Sequence, residues 1–257
     1  MLIIENNSSV SNSFGLSAAA LHIIAMVLML MDHLWATLLP AQEWLTCAGR
    51  VAFPIFAFMA VEGYFHTHSF KKYALRMLIF AIISEVPFDM MYGGTWFYPV
   101  HQNVIWTLLL GLLGIHLMEN VRKKQKPLAY VLVSAAVIIV GTILGIICMV
   151  DYYSVGILTV FVFYFFRGRK WWCLLCQIAA LYWLNVEMLS GLMYPIQLFG
   201  MDFEICQQGL ALFALIPIWL YHGRQGYHSK LFQYICYAFY PVHMLILALT
   251  LNFINGL

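Results

Sequence analysis

The chain is a succession of long apolar runs separated by short polar gaps, and this pattern limits what it can fold into. Each run approaches the length that an α-helix needs to cross a bilayer, about 20 residues. Charged residues make up only 9% of the 257 residues, whereas soluble domains contain about 25%. Membrane β-strands are shorter and alternate in polarity. We therefore predict an all-α fold, a polytopic transmembrane helical bundle.

The apolar runs predict about nine spans in a single integral membrane domain that covers residues 1–257. A polar tail at 1–17 precedes them; it is rich in Ser and Asn and lacks the pattern of a cleavable signal peptide. The sixth and eighth runs are short, which suits tilted, re-entrant or partly buried helices. The predicted spans are about 18–38, 45–65, 73–91, 103–119, 128–149, 152–166, 171–189, 209–221 and 231–254.

Basic residues predict the orientation of these spans. Twelve of the thirteen Lys and Arg residues lie in or beside every second gap. Because cytoplasmic loops of membrane proteins are enriched in Lys and Arg, we expect the N-terminus in the cytoplasm. The twelve are Lys71, Lys72 and Arg76 near the second gap, Arg122, Lys123, Lys124 and Lys126 in the fourth, Arg167, Arg169 and Lys170 in the sixth, and Arg224 and Lys230 in the eighth.

The thirteenth basic residue, Arg50, lies inside an apolar run. Asp32 and His33 lie at a similar depth on the preceding run, both His33 and Arg50 being about 13 Å below the connecting loop at 1.5 Å per residue. Ionisable groups within a bilayer are costly and commonly functional. Imidazole can take and return a proton near neutral pH, and Arg can stabilise a developing oxyanion. The alternative is a structural pair, with Arg50 neutralised by Asp32 or Asp89 and His33 bonded to backbone.

Other polar residues at membrane depth are paired by helical spacing. His22 and His33 are eleven residues apart, or three turns, and therefore share a helix face. The two i, i+4 pairs are Glu62 with His66 and Glu85 with Asp89. Each of these arrangements can line a site or serve only packing.

Two further residues sit near or within helical spans. Asn103 opens the fourth span, and His243 follows Tyr240-Pro241 inside the last one. No zinc-protease, nucleophile-elbow or phosphate-loop motif occurs, and we expect no metal.

These motifs resemble those of the TraX family over about residues 18–250. The matching segments are Asp32-His33, Arg50-Val-Ala-Phe-Pro-Ile-Phe-Ala-Phe, Val61-Glu62-Gly63-Tyr64-Phe65-His66-Thr67, Lys72-Tyr73 to Arg76, Ser84-Glu85-Val86-Pro87-Phe88-Asp89, Asn103-Val104 to Gly111, Asp151-Tyr152 to Gly156, and Tyr240-Pro241-Val242-His243.

The founding member of that family acetylates the N-terminus of F-type pilin. The family is also similar, more remotely, to the wider group of transmembrane acyltransferases, in which the first span carries a catalytic His. The resemblance therefore implies a bacterial cytoplasmic-membrane acyltransferase. It would transfer an acetyl group from cytoplasmic acetyl-CoA to an amine or hydroxyl at the outer face.

The resemblance and the residues together suggest three sets of site residues. We expect the catalytic set to be His33 as base, Asp32 to orient its ring and Arg50 to stabilise the oxyanion. The expected substrate-binding set is Glu62, Glu85, Asp89, Asn103, Tyr240 and His243. The expected acetyl-CoA-binding set is His22, Lys71, Lys72 and Arg76.

The partners expected are the lipid bilayer, acyl-CoA, and an acceptor that is a pilin-like protein, a glycan or a lipid headgroup. Nucleic acid is not expected, because the basic residues lie in short loops between spans. Two alternatives use the same residues. One is a proton-coupled transporter or flippase of a small polar solute, and the other is a scaffold subunit whose charges only fix helix packing.

Overall fold

The computed structural model describes residues 15–198 and 200–256, so most of the polar N-terminal tail lies outside the described residues. The fold is mostly helical. The elements are α1 Ala18–Thr37, α2 Glu43–Gly49, α3 Ala52–His66, α4 Phe70–Tyr92, α5 Val104–Arg122, α6 Pro127–Ile147, α7 Tyr153–Phe165, α8 Trp171–Tyr182, a π-helical segment Trp183–Leu189, β1 Met193–Leu198, β2 Met201–Cys206, a 3₁₀ segment Gln207–Ala214, α9 Leu215–Leu220 and α10 Lys230–Asn255.

Within the described residues, six helices are long and apolar enough to cross a membrane. This count treats the adjoining segments Glu43–His66 and Trp171–Leu189 as one helix each. Two shorter apolar helices, Tyr153–Phe165 and Gln207–Leu220, occupy the predicted sixth and eighth spans. The 23-residue α4 occupies the predicted third span but carries several charged residues. The prediction of a helical membrane protein is confirmed, while the count of nine spans and the orientation stay predictions.

The short helix α7 lies at the centre of the bundle. Most of its 13 residues are buried, including Ile157, Val160 and Phe163. It packs between α5, α6 and α3. A helix surrounded by protein does not need the length of a lipid-facing span, which explains why this run is shorter than its neighbours. By contrast, only 17% of the most apolar stretch of α6 is buried, so α6 lies at the periphery.

The predicted second span is broken at Arg50, which corrects its assignment as one continuous helix. The backbone N–H of Val51 donates to Ala48 O at 3.2 Å, a tighter turn than in an α-helix. Pro54 lies in the first turn of α3, where its missing N–H costs little. The break therefore places Arg50 between two helices rather than within one.

The prediction of an all-α fold also needs correction, because β1 and β2 form an antiparallel hairpin between the seventh and eighth predicted spans. Paired residues in such a hairpin share a face. Tyr194 and Ile196 pair with Ile205 and Phe203 on an apolar face, whereas Gln197 pairs with Asp202 on the other. Gly200 at the tip has a φ of 77°, which a glycine adopts without a steric penalty.

Contacts bring the basic gaps together at one end of the bundle, here called the basic end. Arg167, after α7, pairs with Glu62 near the end of α3. Arg169 donates to backbone carbonyls at the end of α9, including Trp219 O at 2.9 Å. Tyr164 donates to Glu119, near the end of α5, at 2.7 Å. The opposite end, here called the far end, holds the start of α2 and the hairpin.

Candidate functional site

Asp32 and Arg50 form an ion pair between α1 and the α2–α3 break. Nη2 of Arg50 donates to Asp32 Oδ1. Thr46 of α2, which is 1% exposed, donates its hydroxyl to the same oxygen at 2.7 Å. Nε of Arg50 donates to Thr46 O at 3.3 Å. Within the described residues Nη1 has no hydrogen-bond partner, so one edge of the guanidinium is available.

Gly49 allows α1 and α2 to approach closely enough for this pair. A Cβ atom at position 49 would lie 2.4 Å from the Cβ of Asp32. Real side-chain atoms do not approach so closely, so any larger residue here would push the helices apart.

His33 contacts His243 across the interface of α1 and α10. Nδ1 of His33 lies 2.7 Å from Nε2 of His243, and both side chains are buried. Nδ1 of His243 lies 2.6 Å from Phe239 O, one turn earlier on α10. The pair is thus anchored to backbone on one side, while the Nε2 atom of His33 has no hydrogen-bond partner among the described residues.

A second polar pair, His101 and Asp151, joins two loops at the far end. Nε2 of His101 lies 3.3 Å from Asp151 Oδ1. Burial lowers the pKa of His101, but the hydrogen bond to Asp151 and its negative charge outweigh burial and raise the pKa above its ordinary value.

The loop that holds Asp151 has a strained backbone. Met149, Tyr152 and Tyr153 all have positive φ angles, between 46° and 59°. Such conformations cost free energy in residues other than glycine and cluster at functional sites. The ring of Tyr152 packs parallel to that of Phe53, with centroids 4.2 Å apart, and Thr107 donates to Asp151 O at 2.6 Å.

Two cavities lie end to end along the bundle. The far-end cavity has a volume of about 190 Å³ and is lined by His33, Asp32 and Arg50, together with Tyr92, His101, Asp151 and Gln208. The basic-end cavity has a volume of about 340 Å³ and is lined mostly by apolar side chains of α1, α3, α4, α5 and α10. Both are lined by Met29, Phe56, Val104 and Tyr240, so they meet at these residues.

Six of the predicted site residues line these cavities. Asp32, His33 and Arg50 line the far-end cavity, Tyr240 lines both, and His22 and Arg76 line the basic-end cavity. His22 and His33 therefore face the two cavities from one side of α1, as their spacing predicts. His243 lines neither cavity and reaches the site by its contact with His33.

Three predicted substrate-binding carboxylates lie elsewhere. Glu62 receives two hydrogen bonds from Arg167, at 2.6 and 3.3 Å. Oε2 of Glu85 accepts hydrogen bonds from Asn103 and from Trp106 Nε1, the latter at 2.7 Å. Asp89 accepts the backbone N–H of Tyr98 at 3.0 Å. None of the three lines either of the two cavities.

The remaining predicted residues also lie away from the two cavities. Asn103 caps α5 by accepting Ile105 N–H at 3.0 Å and donates to Ala81 O at 2.8 Å, so it ties α4 to α5. Lys71 and Lys72 are exposed in the first turn of α4 and line neither cavity. Asn103 therefore connects two helices, and the two lysines lie at the surface of the basic end.

The expected contact between Asp32 and His33 is wrong. Adjacent helix residues point about 100° apart, and the described hydrogen bonds of Asp32 go to Arg50 and Thr46. The alternative in which His33 bonds to backbone is also wrong, because its partner is His243. Of the two partners weighed for Arg50, the structure has Asp32 and not Asp89.

Several cavity residues were not predicted as site residues, above all Tyr92, His101, Asp151 and Gln208. His101 and Asp151 did carry a signal, since both are polar residues in far-end gaps that hold no basic residue. Gln208 carried none. Within residues 15–198 and 200–256, no three His, Cys, Asp or Glu side chains are grouped closely enough to hold a metal ion.

The chain is similar to known proteins over nearly its whole length. A family model described as TraX protein matches residues 17–251. A protein of Dichelobacter nodosus named as probable fimbrial assembly protein FimC, serogroup H1, is 28% identical in an alignment that covers 95% of this chain and all of that protein. No solved structure matches the chain.

Proposed function

This chain belongs to the TraX family, and from that premise we propose that it is a membrane-embedded acyltransferase that uses acetyl-CoA as acyl donor. The acetyl group passes to an amine or hydroxyl acceptor that enters from the other end of the bundle. The observation that carries the proposal is that the far-end cavity, which holds His33 and Arg50, adjoins the basic-end cavity.

The basic-end cavity suits a long donor with a polar head and an apolar, flexible arm. Its lining includes Arg76, His22 and His228 as well as apolar side chains such as Met26 and Phe80. Arg76 offers the fixed positive charge that a phosphate group requires. A thioester that reached the meeting point at Tyr240 would lie beside the far-end cavity.

His33 serves as the general base in the transfer. Its Nε2 atom takes the proton of the acceptor amine or hydroxyl while the acceptor atom forms a bond to the thioester carbonyl carbon. The C–S bond then breaks, and the thiolate of CoA receives the proton back from the imidazolium. The products are the acetylated acceptor and CoA thiol, so the step needs no oxidant or further reactant.

Arg50 stabilises the oxygen that becomes negatively charged in this step. The free Nη1 group can donate to the oxyanion, and Asp32 and Thr46 hold the guanidinium in place. In this proposal Asp32 therefore positions Arg50 rather than His33.

The acceptor belongs to one of three classes, namely a pilin-like protein, a glycan or a lipid headgroup. The D. nodosus relative is named for fimbrial assembly, which makes a fimbrial subunit the first acceptor to test. The far-end cavity is small, at about 190 Å³, so it suits a chain terminus or a single headgroup rather than a folded domain.

The proposal is tested with purified protein in lipid nanodiscs and acetyl-CoA that carries a labelled acetyl group. We expect release of CoA thiol, a rise in melting temperature with acetyl-CoA, and a loss of about 100-fold or more in turnover for His33→Ala. His66→Ala is the matched control, because His66 is exposed at the basic end.

Two results would contradict the proposal. Equal turnover of His33→Ala and the wild type would remove His33 as the base. Flux of a polar solute across proteoliposomes, with no consumption of thioester, would favour the transporter.

A further inference from the structure

The geometry points to His243 as the positioning residue that determines which ring nitrogen of His33 carries the proton. It does so by holding His33 in the tautomer whose Nε2 atom is free to accept a proton. The catalytic part of this inference rests on the proposed function, but the tautomer itself does not.

The two imidazole rings are joined edge to edge by a hydrogen bond. Their planes lie within 10° of each other and their centroids are 4.9 Å apart. Stacked rings would keep their atoms about 3.5 Å apart or more, whereas the two nitrogens are only 2.7 Å apart. The rings therefore lie nearly in one plane, with a single proton between Nδ1 of His33 and Nε2 of His243.

The backbone decides which nitrogen carries that proton. A carbonyl oxygen can only accept, so Nδ1 of His243 must be the donor to Phe239 O. A neutral imidazole has one N–H, which leaves Nε2 of His243 as an acceptor. Nδ1 of His33 must then donate, and its own Nε2 keeps a lone pair. Both rings are neutral at rest, because a charge in this buried interface is costly.

This arrangement replaces the carboxylate that commonly orients a catalytic histidine. After Nε2 of His33 takes a proton, the Nδ1–H bond to His243 spreads the positive charge over two rings. Asp32 does not serve this purpose, since its Oδ1 atom accepts hydrogen bonds from Arg50 and Thr46, whereas the partner of His33 is His243. An uncharged orienting group is also less costly than a second carboxylate at this depth of the bundle.

The tautomer is tested by NMR on full-length protein with ¹⁵N,¹³C-labelled histidine in nanodiscs. The chain has 9 histidines, and the signals of His33 and His243 are assigned by their loss in His33→Gln and His243→Gln. We expect both residues in the Nδ1–H form, which is the less populated tautomer of a neutral histidine side chain in water. An Nε2–H signal for wild-type His33 would overturn the inference without reference to any activity.

Two variants at position 243 separate positioning from packing. The side-chain oxygen of His243→Gln can accept the Nδ1–H of His33, whereas His243→Leu fills the space without an acceptor. We expect His33 to keep the Nδ1–H form in His243→Gln and to change to Nε2–H in His243→Leu. An unchanged tautomer in His243→Leu would overturn the inference.

Turnover of acetyl-CoA tests the catalytic part. We expect kcat to fall about 100-fold in His243→Leu, with an unchanged KM for acetyl-CoA and substantial recovery in His243→Gln. Equal losses in the two variants would show that His243 only packs. A wild-type protein with the expected tautomers but without thioester turnover would contradict the proposed function and leave the His33–His243 geometry intact.

Discussion

At the scale of single residues, the site depends on side chains that hold other side chains. Thr46 donates to Asp32, Asp32 accepts from Arg50, and the guanidinium is left with one free edge. Removing one partner of a buried ion pair costs more than the pair contributes, because the other charge is left uncompensated. The hydroxyl of Thr46 helps to hold the Asp32 carboxylate in this ion pair.

Thr46→Val tests this role with almost no change in side-chain volume. A hydrogen bond to a charged group contributes about 2 kcal/mol, so we expect a clear drop in the melting temperature of the detergent-solubilised protein. Thr46→Ser keeps the hydroxyl and should melt closer to the wild type. Equal melting temperatures for Thr46→Val and Thr46→Ser would show that the hydroxyl contributes nothing to stability.

The His101–Asp151 pair makes stability depend on pH. Asp151 raises the pKa of His101, and the charge of Glu85 adds to this effect. The stabilisation is fully present below the unfolded-state pKa of about 6.5. It is lost as the pH rises through the higher folded-state pKa. The difference in melting temperature between the wild type and Asp151→Asn should therefore shrink from pH 5.5 towards pH 9. Asp202→Asn, on the exposed hairpin, is the control. The difference in melting temperature between this variant and the wild type should vary less with pH.

At the scale of secondary-structure elements, close helix contacts position the site. Gly49 brings α2 against α1, and the break after it directs Arg50 towards the far-end cavity. A π-helical segment follows α8, where Asn185 donates its side-chain amide to Leu181 O at 2.9 Å. Side-chain bonds to backbone compete with regular helix geometry, and π-helical turns are frequent at functional sites. Leu189, at the end of that segment, lines the far-end cavity.

Gly49→Ala should separate α1 from α2. A methyl group at position 49 would lie 2.4 Å from Asp32 Cβ, and overpacking of this kind costs about 1–3 kcal/mol. Gly63→Ala in α3 is the matched control, because its Cβ would meet only the hydroxyl end of Tyr73, at 3.0 Å. Alanine is also the better helix former by about 1 kcal/mol. We expect the melting temperature to fall in Gly49→Ala. In Gly63→Ala we expect it to stay unchanged or to rise slightly. Equal melting temperatures would contradict the close approach of α1 and α2.

At the scale of the whole molecule, apolar runs predict the helices well because the bilayer requires long uncharged stretches. The last apolar run predicts a helix at about 231–254, and the helix is Lys230–Asn255. The break at Arg50 was not predicted, because the apolar character continues across it. The His33–His243 contact joins residues 210 positions apart, and a single sequence does not report which distant faces meet. The sequence does not predict the hairpin, because only the six residues of β2 alternate clearly in polarity.

The orientation of the bundle decides which cavity can receive a cytoplasmic donor. The basic gaps meet at one end, so the positive-inside rule predicts that the basic-end cavity opens to the cytoplasm. Single cysteines placed at Lys124 and Gln197 in a variant without native cysteines test this in intact cells. Both positions are exposed, one after α5 and one on β1. A membrane-impermeant maleimide should label Gln197→Cys in intact cells, and Lys124→Cys only after lysis. The reverse pattern would place the basic-end cavity outside and exclude acetyl-CoA from the cytoplasm as its ligand.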